Sequence, residues 1–250
     1  MGIRALAIAA GAAFALGLAA TSAVQAVEIK VLSTIGVQSA LPGVIAEFER
    51  TSGHKVAIAW GNTTALKARY LEGEPVDVAI LTAAAIDDLL KFGKVAGSRV
   101  DLCRSGIGFA VKAGAPKPDI GTPEKLKQAL LAAKSVGWSS EGSSGIYFER
   151  VVEQLGIAAD VKAKHKNTSG AVGELIASGA AEIGTQQIPE LAAVPGVEVV
   201  GPLPAEFQII TVFSAALDAK ATGNEAAIAF VKFISSPAAA AAYKAKGLDP

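Results

Sequence analysis

A single cysteine, Cys103, in a chain of 250 residues excludes an intramolecular disulfide and any cluster of thiolate metal ligands. Only two histidines are present, and no HExxH spacing exists, so a zinc-protease site is excluded as well. His54 lies in the polar turn SGHK and His165 stands between Lys164 and Lys166; both are expected on solvated surface. Excess charge is missing too. Lysine plus arginine number 23 and aspartate plus glutamate 23, a balance that suggests neither nucleic acid nor an anionic membrane as partner. There is no Walker loop and no GxGxxG fingerprint, and EGSSG at 141–145 lacks the spacing of a GxSxG nucleophile elbow. Beyond residue 26 no stretch is long and apolar enough to span a bilayer, so no stable membrane insertion is expected.

What is present begins with a leader. Arg4 precedes ALAIAAGAAFALGLAA, and Val24 and Ala26 fit the minus-three and minus-one positions of a signal peptidase site. A secretory signal is expected over residues 1–26, cleaved after Ala26, with the mature chain in the periplasm. Hydrophobic residues make up 51% of the chain, enough to hold an exported protein together by burial without cross-links.

From Val27 onward, strand and helix patterns alternate. VEIKVLST, KVAIAW and VDVAILT read as strands, and SALPGVIAEFERTSG, ALKARYLEG and AAAIDDLLKFG as helices, the first with Leu41, Val44, Ile45 and Phe48 at helical spacing. Further βα units follow: SVGWSS then GIYFERVVEQLG, VKAKHKN then GAVGELIASG, and AEIGTQQ then IPELAAV. Repeated units of this kind predict an α/β fold with mainly parallel sheets flanked by helices. Two long apolar strands, near 104–112 and 207–217, bracket one run of these units. As crossings between two lobes they form a two-strand hinge, with 27–105 and 214–250 as a discontinuous first lobe and 106–213 as the second.

In open α/β sheets ligands sit beyond the carboxyl ends of strands. Those ends read STIGVQS (33–39), GNTT (61–64), EGSSG (141–145), NTSG (167–170) and TQQ (185–187). All are rich in hydroxyls, amides and glycine, and most run straight into a helix. Unpaired N–H groups and the partial positive charge of a helix N-terminus then make an anion site without lysine or arginine. Asn62, Thr63, Thr64 and Ser143 are candidate contacts on this reasoning. Singly, each such residue is an ordinary cap or turn former; their recurrence in corresponding places is what points to a site. The pattern calls for no cofactor and no metal.

VLSTIGVQSAL, TTALKARYLEGEPVDVAILTA, SSGIYFERVVEQLG, AEIGTQQ and KGLDP together resemble the periplasmic molybdate-binding protein family of ABC-importer binding proteins, across essentially all of the mature chain. The resemblance implies the two-lobe, type II periplasmic binding protein fold, a small anionic ligand, a permease and an ATPase as partners, and a monomer. Carried over by position, the family's oxyanion contacts fall on Gly36, Thr63, Ser144, Ser169 and Gln187. Gly36 stands where the family has a serine hydroxyl and Gln187 where it has a tyrosine hydroxyl. The glycine makes room, and Gln186 with Gln187 adds amide donors suited to carboxylate oxygens. A di- or tricarboxylate is therefore expected in preference to a tetrahedral oxyanion. Proteins similar to this family are also known as aconitate isomerases, which gives the alternative expectation of an enzyme. In that case Glu141 is the candidate base, with Lys67 or Arg69 as carboxylate clamps.

Overall fold

The computed structural model describes residues 25–250; the expected leader, apart from its last two residues, lies outside them. The chain opens with strands β1 (Glu28–Thr34), β2 (Lys55–Gly61) and β3 (Val78–Thr82), which alternate with helices α1 (Leu41–Ser52), α2 (Thr63–Leu71) and α3 (Ala83–Lys91). Helix α1 buries Leu41, Val44 and Phe48, one face of a 3.6-residue period, and stops at Gly53, whose φ of 75° supplies a left-handed C-cap. In β3 the run VAIL is buried without alternation, as a strand covered on both faces requires.

Strand β4 (Val95–Lys112) then runs for 18 residues. It starts well before the segment at 104 that reads as a strand, because AGSR breaks the apolar pattern: Gly97 has φ 68° and the pairing register shifts between Ala96 and Val100. The second half of the chain supplies α4 (Pro123–Ala132), β5 (Val136–Trp138), α5 (Ser143–Gln154), α6 (Ala158–Lys162), β6 (His165–Asn167), α7 (Val172–Ala177), β7 (Ile183–Gln187), α8 (Ile188–Ala192) and β8 (Val197–Pro202). Strand β9 (Ile210–Asp218) and helices α9 (Glu225–Ile234) and α10 (Pro237–Ala245) follow. Helix α6 corrects the strand expected from VKAKHKN. Its first residues close a short helix around buried Val161, and only His165–Asn167 pair as a strand.

The strand order is β2-β1-β3-β9-β4-β7-β5-β6, with β8 on β4. Strands β1, β2 and β3 are mutually parallel, as are β5, β6 and β7, while β9 runs antiparallel to β3 and β4. Strand β4 serves both halves of the molecule: Val95 to Gly106 pairs with β9, and Ile107 to Lys112 pairs with β7 and β8. Two lobes result, each with its own core. One gathers Phe48, Phe213, Phe230 and Tyr243, with Leu66, Leu81 and Ile86 on the other face of its sheet. The other gathers Phe109, Trp138 and Phe148, whose rings meet edge to face. His165 is not the solvated residue its lysine neighbours suggest. Its ring stacks on Trp138 with centroids 3.3 Å apart, and its Nε2 lies 3.0 Å from the Trp138 carbonyl.

Candidate ligand-binding cleft

Where the lobes face each other they enclose a cavity of about 30 Å³. The first lobe contributes Thr34 at the end of β1 and Ile35 just beyond it, Asn62 and Thr63 at the start of α2, and Thr82 at the end of β3. From the second come Ser139, Gly142, Ser143 and Ser144 between β5 and α5, and Gln186, Gln187 and Glu190 of β7 and α8. Thr211 and Phe213 of β9 complete the lining. Apart from β9, each contributing segment lies at the carboxyl end of a strand or just beyond it, the position that parallel topology leaves open to a ligand.

Asn62 explains the polar turn before α2. Its Oδ1 caps the helix by accepting from the Ala65 N–H at 2.8 Å, which leaves the N–H groups of Thr63 and Thr64 outside the helical ladder. Its Nδ2 donates to Glu141 Oε2 of the opposite lobe at 3.1 Å. Helix α5 starts differently: its N-cap is Gly142, no side chain caps it, and the Gly142 N–H donates to Ser139 Oγ at 3.1 Å. The first turn of α5, with buried Ser144, thus brings uncapped N–H groups to the cavity wall. Gly145 is required there, because a Cβ would stand 1.9 Å from the Ser139 carbonyl oxygen.

Of the residues nominated from sequence, Asn62, Thr63, Ser143, Ser144, Gln186 and Gln187 line the cavity. Ser169 lies in an adjoining hollow, while Thr64 is exposed and lines neither space. Gly36 is buried but does not line the cavity, and it does not make room: a Cβ would stand 2.4 Å from Phe213 Cε1, so that ring already fills the space. The glutamine amides are also committed within the protein. Gln186 Oε1 accepts from the Val172 N–H at 2.8 Å and its Nε2 donates to Glu190. Gln187 is best oriented with its oxygen accepting from Thr211 Oγ1 at 2.8 Å and its nitrogen 3.2 Å from the carbonyl oxygens of Ser105 and Gly106, since the reverse sets like against like. It ties β7 to both crossing strands. Glu141 is exposed at the rim, bonded to Asn62. Lys67 pairs with Asp88 and Arg69 with Glu74 at 2.6 Å, so neither clamps the cleft.

Sequence reasoning passed over Thr34, Thr82, Ser139, Thr211, Phe213 and Glu190. Thr82 and Ser139 follow from the same strand-end rule and were available to it. Glu190 carried no signal, since an acid in the first turn of a helix is ordinary dipole chemistry. Burial pushes its pKa up to about 8. No lysine, arginine or histidine lines the cavity. Among the described residues no group of three histidine, cysteine or acidic side chains is placed to hold a metal ion. Cys103 is buried, which pushes its thiol up to about 12 and makes it a core residue rather than a nucleophile.

The family model for bacterial extracellular solute-binding proteins matches residues 29–249. The chain belongs to that family. A relative named aconitate isomerase, from a Pseudomonas species, is 37% identical over 230 residues, covering 89% of this chain and 87% of that protein. Solved structures with the same fold include the periplasmic molybdate-binding protein of Azotobacter vinelandii, with a TM-score of 0.73 at 20% identity over 89% of this chain and 99% of that one. The sulfate-binding protein SubI of Mycobacterium tuberculosis H37Rv gives 0.72 at 19% identity over 90% and 87%. At these identities the two structures show the fold alone, that of the type II periplasmic binding proteins.

Proposed function

We propose that this solute-binding protein captures a small organic polycarboxylate in the interlobe cleft, in the periplasm. The observation that carries the reading is the convergence of uncapped α5 amides, the Thr63 amide of α2 and the hydroxyls of Thr63, Ser139 and Ser144 on one space between the lobes. Fixed dipoles of this kind hold anions without formal positive charge. Gly36 offers no hydroxyl and has the Phe213 ring beside it, and the Gln187 amide is engaged within the protein, so two donors that the molybdate-binding family directs at an oxyanion are missing here. Family membership supports delivery of the ligand to an importer permease and its ATPase. Differential binding to the folded state predicts that 1 mM cis- or trans-aconitate raises the melting temperature by several degrees while molybdate leaves it within about one degree. A large molybdate shift with no carboxylate effect defeats the reading.

A second reading is favoured by the 37% identical aconitate isomerase and by Glu190, the one acid on the cavity wall. Here the cleft catalyses an allylic proton shift between trans- and cis-aconitate. Proton NMR in heavy water separates the two: deuterium uptake and growth of the second isomer mark the enzyme, and unchanged aconitate marks a binder.

A further inference from the structure

Glu190 lines two spaces. One is the inner cavity, and the other is an outer hollow of about 450 Å³ bordered by Ser39, Trp60, Ser169 and Glu174. Glu190 and Ile35 are the only residues common to both, so they form the waist between them. On the outer side Ser39 Oγ is buried with no hydrogen-bond partner, alone in this among the described residues. A buried hydroxyl without a partner is costly unless something else satisfies it. The inner side ends in the α2 and α5 amides already described.

We propose that the cavity and the hollow are two halves of one site for an elongated tricarboxylate, with the Ser39 hydroxyl turning out of its buried position by rotation about χ1 to meet the outer carboxylate and Glu190, at the waist, moving the proton of the allylic shift. The inference rests on the isomerase reading. The ionised Glu190 carboxylate takes a proton from the substrate methylene. The C–H bond breaks, an O–H bond forms, and the electron pair spreads over three carbons and their carboxylates. Glu190 then returns the proton to the carbon at the far end, and the double bond moves by one place. No oxidant, reductant or second proton is needed, and the rotamer in which the methylene arm is held sets the geometry of the new double bond.

The surroundings suit a base. The turn at Ile35–Val37, α7, β4, β7 and β8 pack around α8, and from them only Glu174 brings another titratable side chain to either space. Glu141 meets Asn62 at the rim. With its pKa pushed up to about 8, Glu190 is a stronger base when ionised than an exposed carboxylate, and a bound polyanion raises that value further. Turnover at saturating substrate therefore rises with pH, with its midpoint above 8.

The test uses the full chain with trans-aconitate, following turnover by NMR and binding by calorimetry. Glu190→Gln is expected to lower kcat more than 100-fold while aconitate binding stays within fivefold of wild type, and Glu190→Asp to recover a measurable part of the rate. Ser39→Ala is expected to raise KM about tenfold with kcat little changed. Wild-type turnover with Glu190→Gln within tenfold of it overturns the proton role and leaves the isomerase reading intact. An unchanged KM in Ser39→Ala overturns the outer half of the site. Aconitate bound by wild type with no growth of the second isomer overturns the isomerase reading, and the proton transfer falls with it.

Discussion

Gly36 and Phe213 are a single fit at the residue scale. The ring lies where a side chain at 36 would begin, 2.4 Å from an added Cβ, and both residues are buried. Gly36→Ser is expected to lower stability by about 1–3 kcal/mol, the usual cost of overpacking. Urea unfolding of Gly36→Ser, Phe213→Ala and the double variant checks this, with Gly36→Ser costing much less in the Phe213→Ala background than in wild type. A single variant as stable as wild type removes the claim that the pair is coupled. The same scale shows what the sequence does not reveal. Gln186 and Gln187 read as free donors because an amide in a strand-end loop looks unengaged, yet Val172, Glu190 and the crossing strands consume both. Which partner satisfies a side chain is a tertiary fact, and no spacing encodes it.

Among the elements, the start of α5 forms one wall of the cleft. With glycine as N-cap and Gly145 pressed on Ser139, the helix terminus sits against the loop after β5 and leaves its amides available. Gly145→Ala would push a methyl group into the Ser139 carbonyl. Its expected outcome is at least tenfold weaker aconitate binding by calorimetry together with a lower melting temperature; unaltered binding shows that the α5 amides are not ligands. Elements of this size were mostly readable. Apolar periodicity marked the βα alternation because a strand buried on both faces and a one-sided helix leave different patterns. It missed the first part of β4, where a glycine bulge interrupts the pattern, and α6, a single turn too short to show a period. The strand-end rule found the loops at 61–64 and 141–145, and a more even application would have added Thr82 and Ser139.

In the whole molecule, the bond from Asn62 to Glu141 joins the lobes across the cleft. It is a charge-assisted contact between a buried amide and an exposed acid, and its loss is expected to act on the balance between open and closed lobes more than on folding. Glu141→Ala is expected to leave the melting temperature of the ligand-free protein within about one degree and to weaken aconitate binding about two- to fivefold. Small-angle scattering with and without aconitate supplies the companion measurement: the variant needs more ligand to reach the compact form. Equal ligand dependence in both proteins rules out the latch.

The shared hinge strand is matched by shared construction of the first lobe. Phe230, Ile234, Tyr243 and Leu248 pack in one core with Ile29, Val31 and Leu41, and Asp249 exchanges backbone hydrogen bonds with Arg104. The second core, by contrast, draws on one unbroken stretch between Ile107 and Leu203. A ribosome delivering this polypeptide from its amino end therefore releases the segments of the second core while the earlier-made lobe still waits for β9 and its last two helices. The half synthesised first is completed last.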